Sequence, residues 1–361
     1  MERIKLSTSL KKNSSQSILL NMIATTREKV SAGNFLILVL DDYTAKIISS
    51  FVTMTDVLNE GIFSVERLDT VRQKFPKYHA LYFISPNPKS IEKINEDFAD
   101  ESKPHYSRIH IYFSHRITDS ILGLLATSYT YPRIMTCIEL NLSFLARDRN
   151  LFDLGMGKAM EIYTVKNNEN TSKIISNICE RLFTVCAVLK EYPYIQYQKT
   201  PMCTQLATIL DAQMKEFYKD RSYPYNEKRG ILLILDRTFD ITTPLLHDYN
   251  YETMVYDLFE VKDQVISIPD NKNVFHKYEL DEKDELWMKY KNKHFVVALQ
   301  ELQEDFNQFK VNASKFQKAG ESESFEEMAD FLHGVKDYKT KTNQFSLHLN
   351  LAEEMTRVYT Y

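Results

Sequence analysis

The chain has 361 residues, beyond the ~250–300 that a single core reaches, so two or three domains are predicted. Hydrophobic residues make up 43% and charged residues 26%, which excludes wholesale disorder. The formal net charge of −4 shows no basic excess, which argues against a nucleic-acid module.

The four cysteines, Cys137, Cys179, Cys186 and Cys203, include no CxxC pair. Reduced cytosolic thiols are the simpler expectation than a disulfide framework. Met1-Glu2-Arg3-Ile4-Lys5 leads into polar sequence rather than a signal core. The longest apolar runs, 35–40 and 231–235, fall far short of the ~20 residues of a membrane-crossing helix.

In chain order, Ile18, Leu19, Met22, Ile23 and Val30 share one helical face. The run at 35–40 reads as a strand buried on both faces, as in parallel sheets covered by helices. Further strands are predicted at 46–51, 79–84 and 108–113, with helices near 55–60, 90–98 and 118–126 between them. This alternation implies an open α/β domain over 1–140. A second α/β domain is predicted at 141–258, with helices at 172–190 and 204–218, a surface loop at 219–229 and a fully buried strand at 231–235. Cys179 and Cys186, seven apart, fit one buried helical stripe. A third, all-helical domain is assigned to 259–361. Phe295, Leu299, Leu302, Phe306 and Phe309 form one apolar stripe, and Phe345, Leu349, Ala352, Met355 and Tyr359 form another. Ala319-Gly320-Glu321-Ser322-Glu323-Ser324 reads as the exposed connection of a helical hairpin whose stripes pack on each other.

Reaction chemistry is sparse. Gly155-Met156-Gly157-Lys158 lacks the Walker pattern, with Phe152 at the required upstream glycine and Ala159 where Ser or Thr is needed. An ordinary turn is expected there rather than an anion nest. His110 and His115 are five apart, not the four that aligns two ligands on a helix, so structural or surface roles are expected. There is no GxSxG elbow. The strongest enzyme candidate is Asp236 with Asp240, at the C-terminal end of a strand where open α/β sheets bind ligands. Arg237 lies between them, and an Arg–carboxylate lock of Asp236, Arg237 and Asp240 is the favoured alternative. No catalytic, metal or cofactor residue is assigned.

Leu232-Leu233-Ile234-Leu235-Asp236-Arg237-Thr238-Phe239-Asp240, followed by Thr243-Pro244-Leu245-Leu246-His247-Asp248 and by Tyr251, Met254 and Tyr256-Asp257-Leu258, resembles the signature of the Sec/Munc (SM) regulators of membrane fusion. Four other blocks agree in order: Met54-Thr55-Asp56-Val57-Leu58-Asn59-Glu60-Gly61-Ile62, Leu189-Lys190-Glu191-Tyr192-Pro193, Leu280-Asp281-Glu282-Lys283-Asp284-Glu285-Leu286-Trp287, and His348-Leu349-Asn350-Leu351-Ala352-Glu353-Glu354. The resemblance implies an arch-shaped, non-catalytic scaffold that binds a syntaxin-type SNARE and the SNARE complex and regulates vesicle docking, fusion and exocytosis. It implies a monomeric cytoplasmic protein, peripheral to membranes through its SNARE partners. Two other classes stand beside it: an α/β enzyme or nucleotide binder using Asp236 and Asp240, and a tethering adaptor with a non-syntaxin partner.

The resemblance also assigns sites. Lys46 matches a basic residue facing syntaxin, where arginine is frequent; the charge is kept and bidentate pairing is lost. Thr53 departs from a second basic position, and Glu66 matches an acidic one. Ile117, Leu122, Cys137 and Glu139 match a pocket for the syntaxin N-terminal peptide. In the hairpin, Lys336 stands where many relatives carry a hinge proline, and Gly334 is the nearby source of flexibility. Leu349 lies on the second hairpin stripe. Tyr361 falls before the family's remaining second-domain strands, so an open sheet edge or a disordered flank is expected in that domain.

Overall fold

The computed structural model describes residues 10–359 apart from 32–33, 101, 127, 149–150, 158–160, 165–167, 220–222, 224, 263, 270–274, 281–283 and 320–324, with the backbone alone at 164, 168, 312–319, 325–337 and 359. Packing separates two compact units, Met1–Phe239 and Asp240–Tyr361.

The first unit is built on five parallel strands: β1 (Leu36–Leu40), β2 (Ile62–Arg67), β3 (Phe75–Ile84), β4 (Tyr106–Phe113) and β5 (Ile134–Glu139). Their order is β2-β1-β3-β4-β5, so the winding reverses between β1 and β3. The apolar run reads as expected. Leu36, Leu38 and Leu40 enter one core with Ile18, Met22 and Ile23, while Ile37 and Val39 enter another with Ile91, Ile94 and Tyr82. A strand with cores on both faces leaves no position for a polar side chain.

At the reversal point Asp41 is a clamp. Its carboxylate accepts from Thr44 N at 2.7 Å and from Ser85 N, beyond β3, at 2.6 Å. Asp41 and Thr44 form a capping box that starts the helix Asp42–Phe51. This corrects the strand expected at 46–51. Thr44, Ile47, Ile48 and Phe51 are buried with spacings of three, one and three, which is one face of a helix. Conversely, no strand was expected at β2 or β5. Both lie at sheet edges, where Phe63, Met135 and Ile138 are exposed, so neither shows a continuous apolar run.

His110 shows what this core demands of a polar side chain. It is fully buried in β4; Nδ1 meets Thr136 Oγ1 at 3.0 Å and Nε2 faces His79 Nδ1 at 3.4 Å. Burial, with smaller contributions from His79 and Lys29, lowers its pKa to about 4. The folded state therefore prefers neutral imidazole. This stabilisation is present above the unfolded value of about 6.5 and is lost as pH falls toward the folded one. Between pH 7 and pH 5 the loss is about 2 kcal/mol. His110→Gln should remove that share, so the difference in urea-unfolding free energy between wild type and variant should narrow by about this amount at pH 5. An unchanged difference would refute it.

The second half of this unit carries the helices Asn168–Leu189 and Pro201–Phe217 and the parallel strands Tyr194–Tyr197 and Ile231–Ile234. Cys179 and Cys186 are buried as expected, and burial pushes both thiols up to about 12. The fully buried strand at 231–235 is a correction. Ile231 is 64% and Leu233 58% exposed, whereas Leu232 and Ile234 pack toward the helices. Among the described residues the helices cover one face of this two-stranded sheet, so an unbroken apolar run alternates between core and surface.

In the loop expected at 155–158, Gly155 has φ +61° and its N–H donates to Asp153 Oδ1 at 2.6 Å. A Cβ there would approach the Tyr43 ring to 2.8 Å, so this is a structural glycine in a turn. Lys158 and Ala159 lie outside the described residues.

In the second unit the helix Tyr251–Leu258 is followed, in the stretch assigned to an all-helical domain, by an antiparallel sheet of Val261–Lys262, Val265–Pro269 and Phe275–Glu279. The helices Phe295–Ala319 and Phe325–Tyr359 follow. Phe309 meets Phe345 and Tyr338 at ring separations of 5.0 Å, and Phe306 meets Phe345 at 5.5 Å, so the two apolar stripes face each other. The connection at 320–324 and the side chain of Tyr359 lie outside the described residues.

Candidate partner-binding surfaces

Lys46, Thr53 and Glu66 all fall on the stretch that leads from β1 to the edge strand β2. Lys46 is exposed on the helix Asp42–Phe51. Thr53 is the N-cap of the helix Met54–Asn59. Its Oγ1 accepts from Asp56 N at 3.2 Å, and Asp56 Oδ2 accepts from Thr53 N at 2.9 Å. The residue that departs from a basic contact is therefore a helix cap, a role worth ~1 kcal/mol that no long basic side chain supplies. Glu66 is half-buried, and its Oε2 accepts the Tyr106 hydroxyl at 2.8 Å.

The second group lies at the opposite sheet edge. Ile117 N donates to Glu139 Oε1 at 2.8 Å, which joins two of the four residues directly. Ile117 is half-buried against the core, whereas Leu122 is 44% exposed on the helix Asp119–Ala126. Cys137 and Glu139 are exposed on β5, and Leu124 and Met135 are further exposed apolar side chains on the helix Asp119–Ala126 and on β5. Partial desolvation of the sulfur by neighbouring atoms, then the Glu139 charge, pushes the Cys137 thiol up and keeps it protonated. Sequence reasoning missed the exposed Met135 because edge-strand side chains look like interrupted core.

Beside Glu139 lies a cleft of about 300 Å³ lined by Arg116, Glu139, Glu180, Glu216, Phe183 and Phe217, among others. Arg116 bridges it to Glu216 at 3.3 Å and holds that carboxyl below its ordinary value. Glu180 moves the other way, pushed up by burial.

The acids considered for chemistry are engaged in their own turns. Asp236 Oδ1 accepts from Thr238 Oγ1 at 2.6 Å and Thr238 N at 2.8 Å, which lowers its pKa, and from Tyr163 OH at 3.3 Å. Arg237 begins a short 3₁₀ turn, Arg237–Phe239. Asp240 Oδ1, at the start of the second unit, accepts from Thr242 N and Thr243 N at 3.1 and 3.0 Å. Among the described residues, no group of three His, Cys, Asp or Glu side chains could hold a metal ion. Nor is any helix long and apolar enough to cross a membrane.

In the hairpin, Leu349 is half-buried against the unit's core. The helix Phe325–Tyr359 runs unbroken through positions 334 and 336, and the side chain of Lys336 lies outside the described residues.

The architecture is shared with solved proteins of one class. The Unc18–syntaxin 1 complex from Monosiga brevicollis matches with a TM-score of 0.83 at 23% identity, covering 97% of this chain and 63% of that one. The SM protein Vps45, solved with the Qa SNARE Tlg2, matches at 0.80 and 22%, covering 97% and 61%. The fold is thus that of the SM proteins. The Sec1 family model matches residues 36–360, and the chain belongs to the Sec1 family. Among curated relatives, the protein transport protein sec1 of Dictyostelium discoideum is 28% identical over 354 residues, covering 96% of this chain and 59% of the relative. The SNARE-interacting protein KEULE of Arabidopsis thaliana is 25% identical, covering 94% and 54%. The chain therefore spans somewhat over half the length of these relatives.

Proposed function

We propose that the chain is a non-catalytic scaffold that binds a syntaxin-type SNARE and regulates SNARE complex assembly in vesicle docking, fusion and exocytosis. It works in the cytoplasm as a monomer, peripheral to membranes through its SNARE partners. The observation that carries this reading is the match to the Sec1 family along residues 36–360, joined to a fold shared with proteins solved on syntaxin-type SNAREs. The domain at 1–140 supplies the contacts, the 141–258 domain supports it, and the helical part of 259–361 adds a hairpin. Lys46, Thr53 and Glu66 line one contact surface, with Thr53 shaping the backbone rather than donating charge. Ile117, Leu122, Cys137 and Glu139 take a peptide that brings an apolar anchor and a cation; exposed apolar surface around one carboxylate supports this. Lys336 and Leu349 belong to the hairpin. Asp236, Arg237 and Asp240 are structural, a reading supported by the turn donors that occupy both carboxylates.

Calorimetric titration with the soluble segment of a syntaxin-type SNARE tests this. Lys46→Glu reverses an exposed charge and should weaken binding about tenfold, roughly 1.4 kcal/mol. Binding that only the N-terminal peptide supports would move the contact to Leu122 and Glu139. Failure to bind any syntaxin-type segment, with the chain folded, would sink the proposal.

A further inference from the structure

Glu66 and Tyr106 are 40 residues apart in sequence and lie on strands that β1 and β3 separate, yet their side chains are joined. Tyr106 is fully buried, and its hydroxyl donates to Glu66 Oε2 at 2.8 Å. The phenol is itself held. Its ring meets Tyr82 edge-on at 6.1 Å, Tyr82 OH donates to Asp97 Oδ2 at 2.6 Å, and Asp97 Oδ1 accepts from Arg72 Nη2 at 2.8 Å. Burial raises the pKa of the Tyr106 phenol far above its ordinary value, with Arg72 opposing and Glu66 reinforcing the shift. The hydroxyl therefore keeps its proton and stays a donor at any physiological pH. Glu66 Oε1, in contrast, has no partner among the described residues.

We propose that Tyr106 is a positioning residue for partner binding: it fixes Glu66 by one oxygen so that the other is presented, without rotamer freedom, to a cationic or N–H donor of the partner. The inference rests on the reading of Glu66 as a partner contact. A flexible glutamate gives up ~1.5–2 kcal/mol of rotamer entropy when it is immobilised. A carboxylate already fixed in the free protein does not lose that freedom on binding, which is the general advantage of preorganisation.

The test is a double-mutant cycle of Tyr106→Phe and Glu66→Gln, read by calorimetry with the soluble segment of a syntaxin-type SNARE. Tyr106→Phe keeps the ring and removes only the donor. It should weaken binding about fivefold to tenfold, and that loss should disappear in the Glu66→Gln background, where there is no carboxylate to position. A purely structural effect would persist in both backgrounds. Thermal unfolding of each variant separates loss of fold from loss of binding. If Glu66→Gln weakens binding and Tyr106→Phe does not, or if the two effects add, the positioning role is overturned while the contact stands. If Glu66→Gln has no effect, the contact itself is wrong and the positioning role falls with it.

Discussion

Asp97→Asn is expected to lower the unfolding free energy of the first unit by roughly 3–5 kcal/mol, the usual cost of removing one partner from a buried ion pair. The Asp97 and Arg72 side chains are only 4% and 6% exposed, and their Oδ1–Nη2 separation is 2.8 Å. Burial works against the Arg72 cation, but Asp97, Tyr82 and Tyr106 together keep its pKa above the ordinary value. Asparagine keeps the shape and can still accept from Tyr82, so packing barely changes while the guanidinium loses its counter-charge. Arg72 is poorly placed to absorb that loss, because Nε and Nη1 already lack partners within the described structure. Replacing both members and the hydroxyl that Asp97 also accepts, with Arg72→Met, Asp97→Leu and Tyr82→Phe, should restore much of the stability, since buried polar partners exchanged together for apolar residues are often neutral. Urea unfolding followed by far-UV circular dichroism checks this. A loss below ~1 kcal/mol for Asp97→Asn would mean that the pair is screened by water and is no part of the core.

β1 is legible because residues on both its faces must be apolar, and the hairpin stripes are legible because a 3.6-residue period survives in any helix that packs. The helix Asp42–Phe51 was mistaken for a strand because Ile47 and Ile48 are β-branched, although Asp41 and Thr44 already carried a start signal three residues apart. The run at 231–235 misled in the opposite way: composition does not tell how many faces a neighbour covers. At the candidate surfaces, residue types could be placed by family pattern, and the Thr53 to Asp56 spacing was a visible capping box. What no local pattern holds is a pairing such as Glu66 with Tyr106, or Tyr251 with His348, because each is closed by topology across many residues. Polar residues inside a core are the part of a fold that sequence periodicity reports least, and here they tie together the segments that define it.

His348→Leu is expected to cost the second unit about 3–5 kcal/mol, because it strands a buried phenol and a buried carboxylate together. His348 is fully buried, with Nδ1 at 2.8 Å from Tyr251 OH and Nε2 at 3.1 Å from Asp284 Oδ2. Burial and the Asp284 charge raise the pKa of the Tyr251 phenol far above its ordinary value, so it keeps its proton. The arrangement in which Nε2–H donates to Asp284 Oδ2 and Nδ1 accepts from the Tyr251 hydroxyl satisfies all three groups. Asp284 completes the chain: its Oδ1 accepts from Leu286 N and Trp287 N at 3.0 Å and caps the helix Glu285–Tyr290. Three helices are thus fastened by one line of hydrogen bonds in which each donor has one acceptor. Leucine fills much of the imidazole volume, so the loss reads the polar connection rather than a cavity. Asp284→Ala breaks the same line and also removes a cap, so the two substitutions should couple strongly instead of adding. The only tryptophan in the chain, Trp287, stacks on His348 with a ring separation of 6.4 Å and an interplanar angle of 15°. Its fluorescence therefore reports this unit alone during denaturant unfolding. Additive losses for the two variants would show that His348 and Asp284 stabilise the unit independently and that the line of bonds is not a single device.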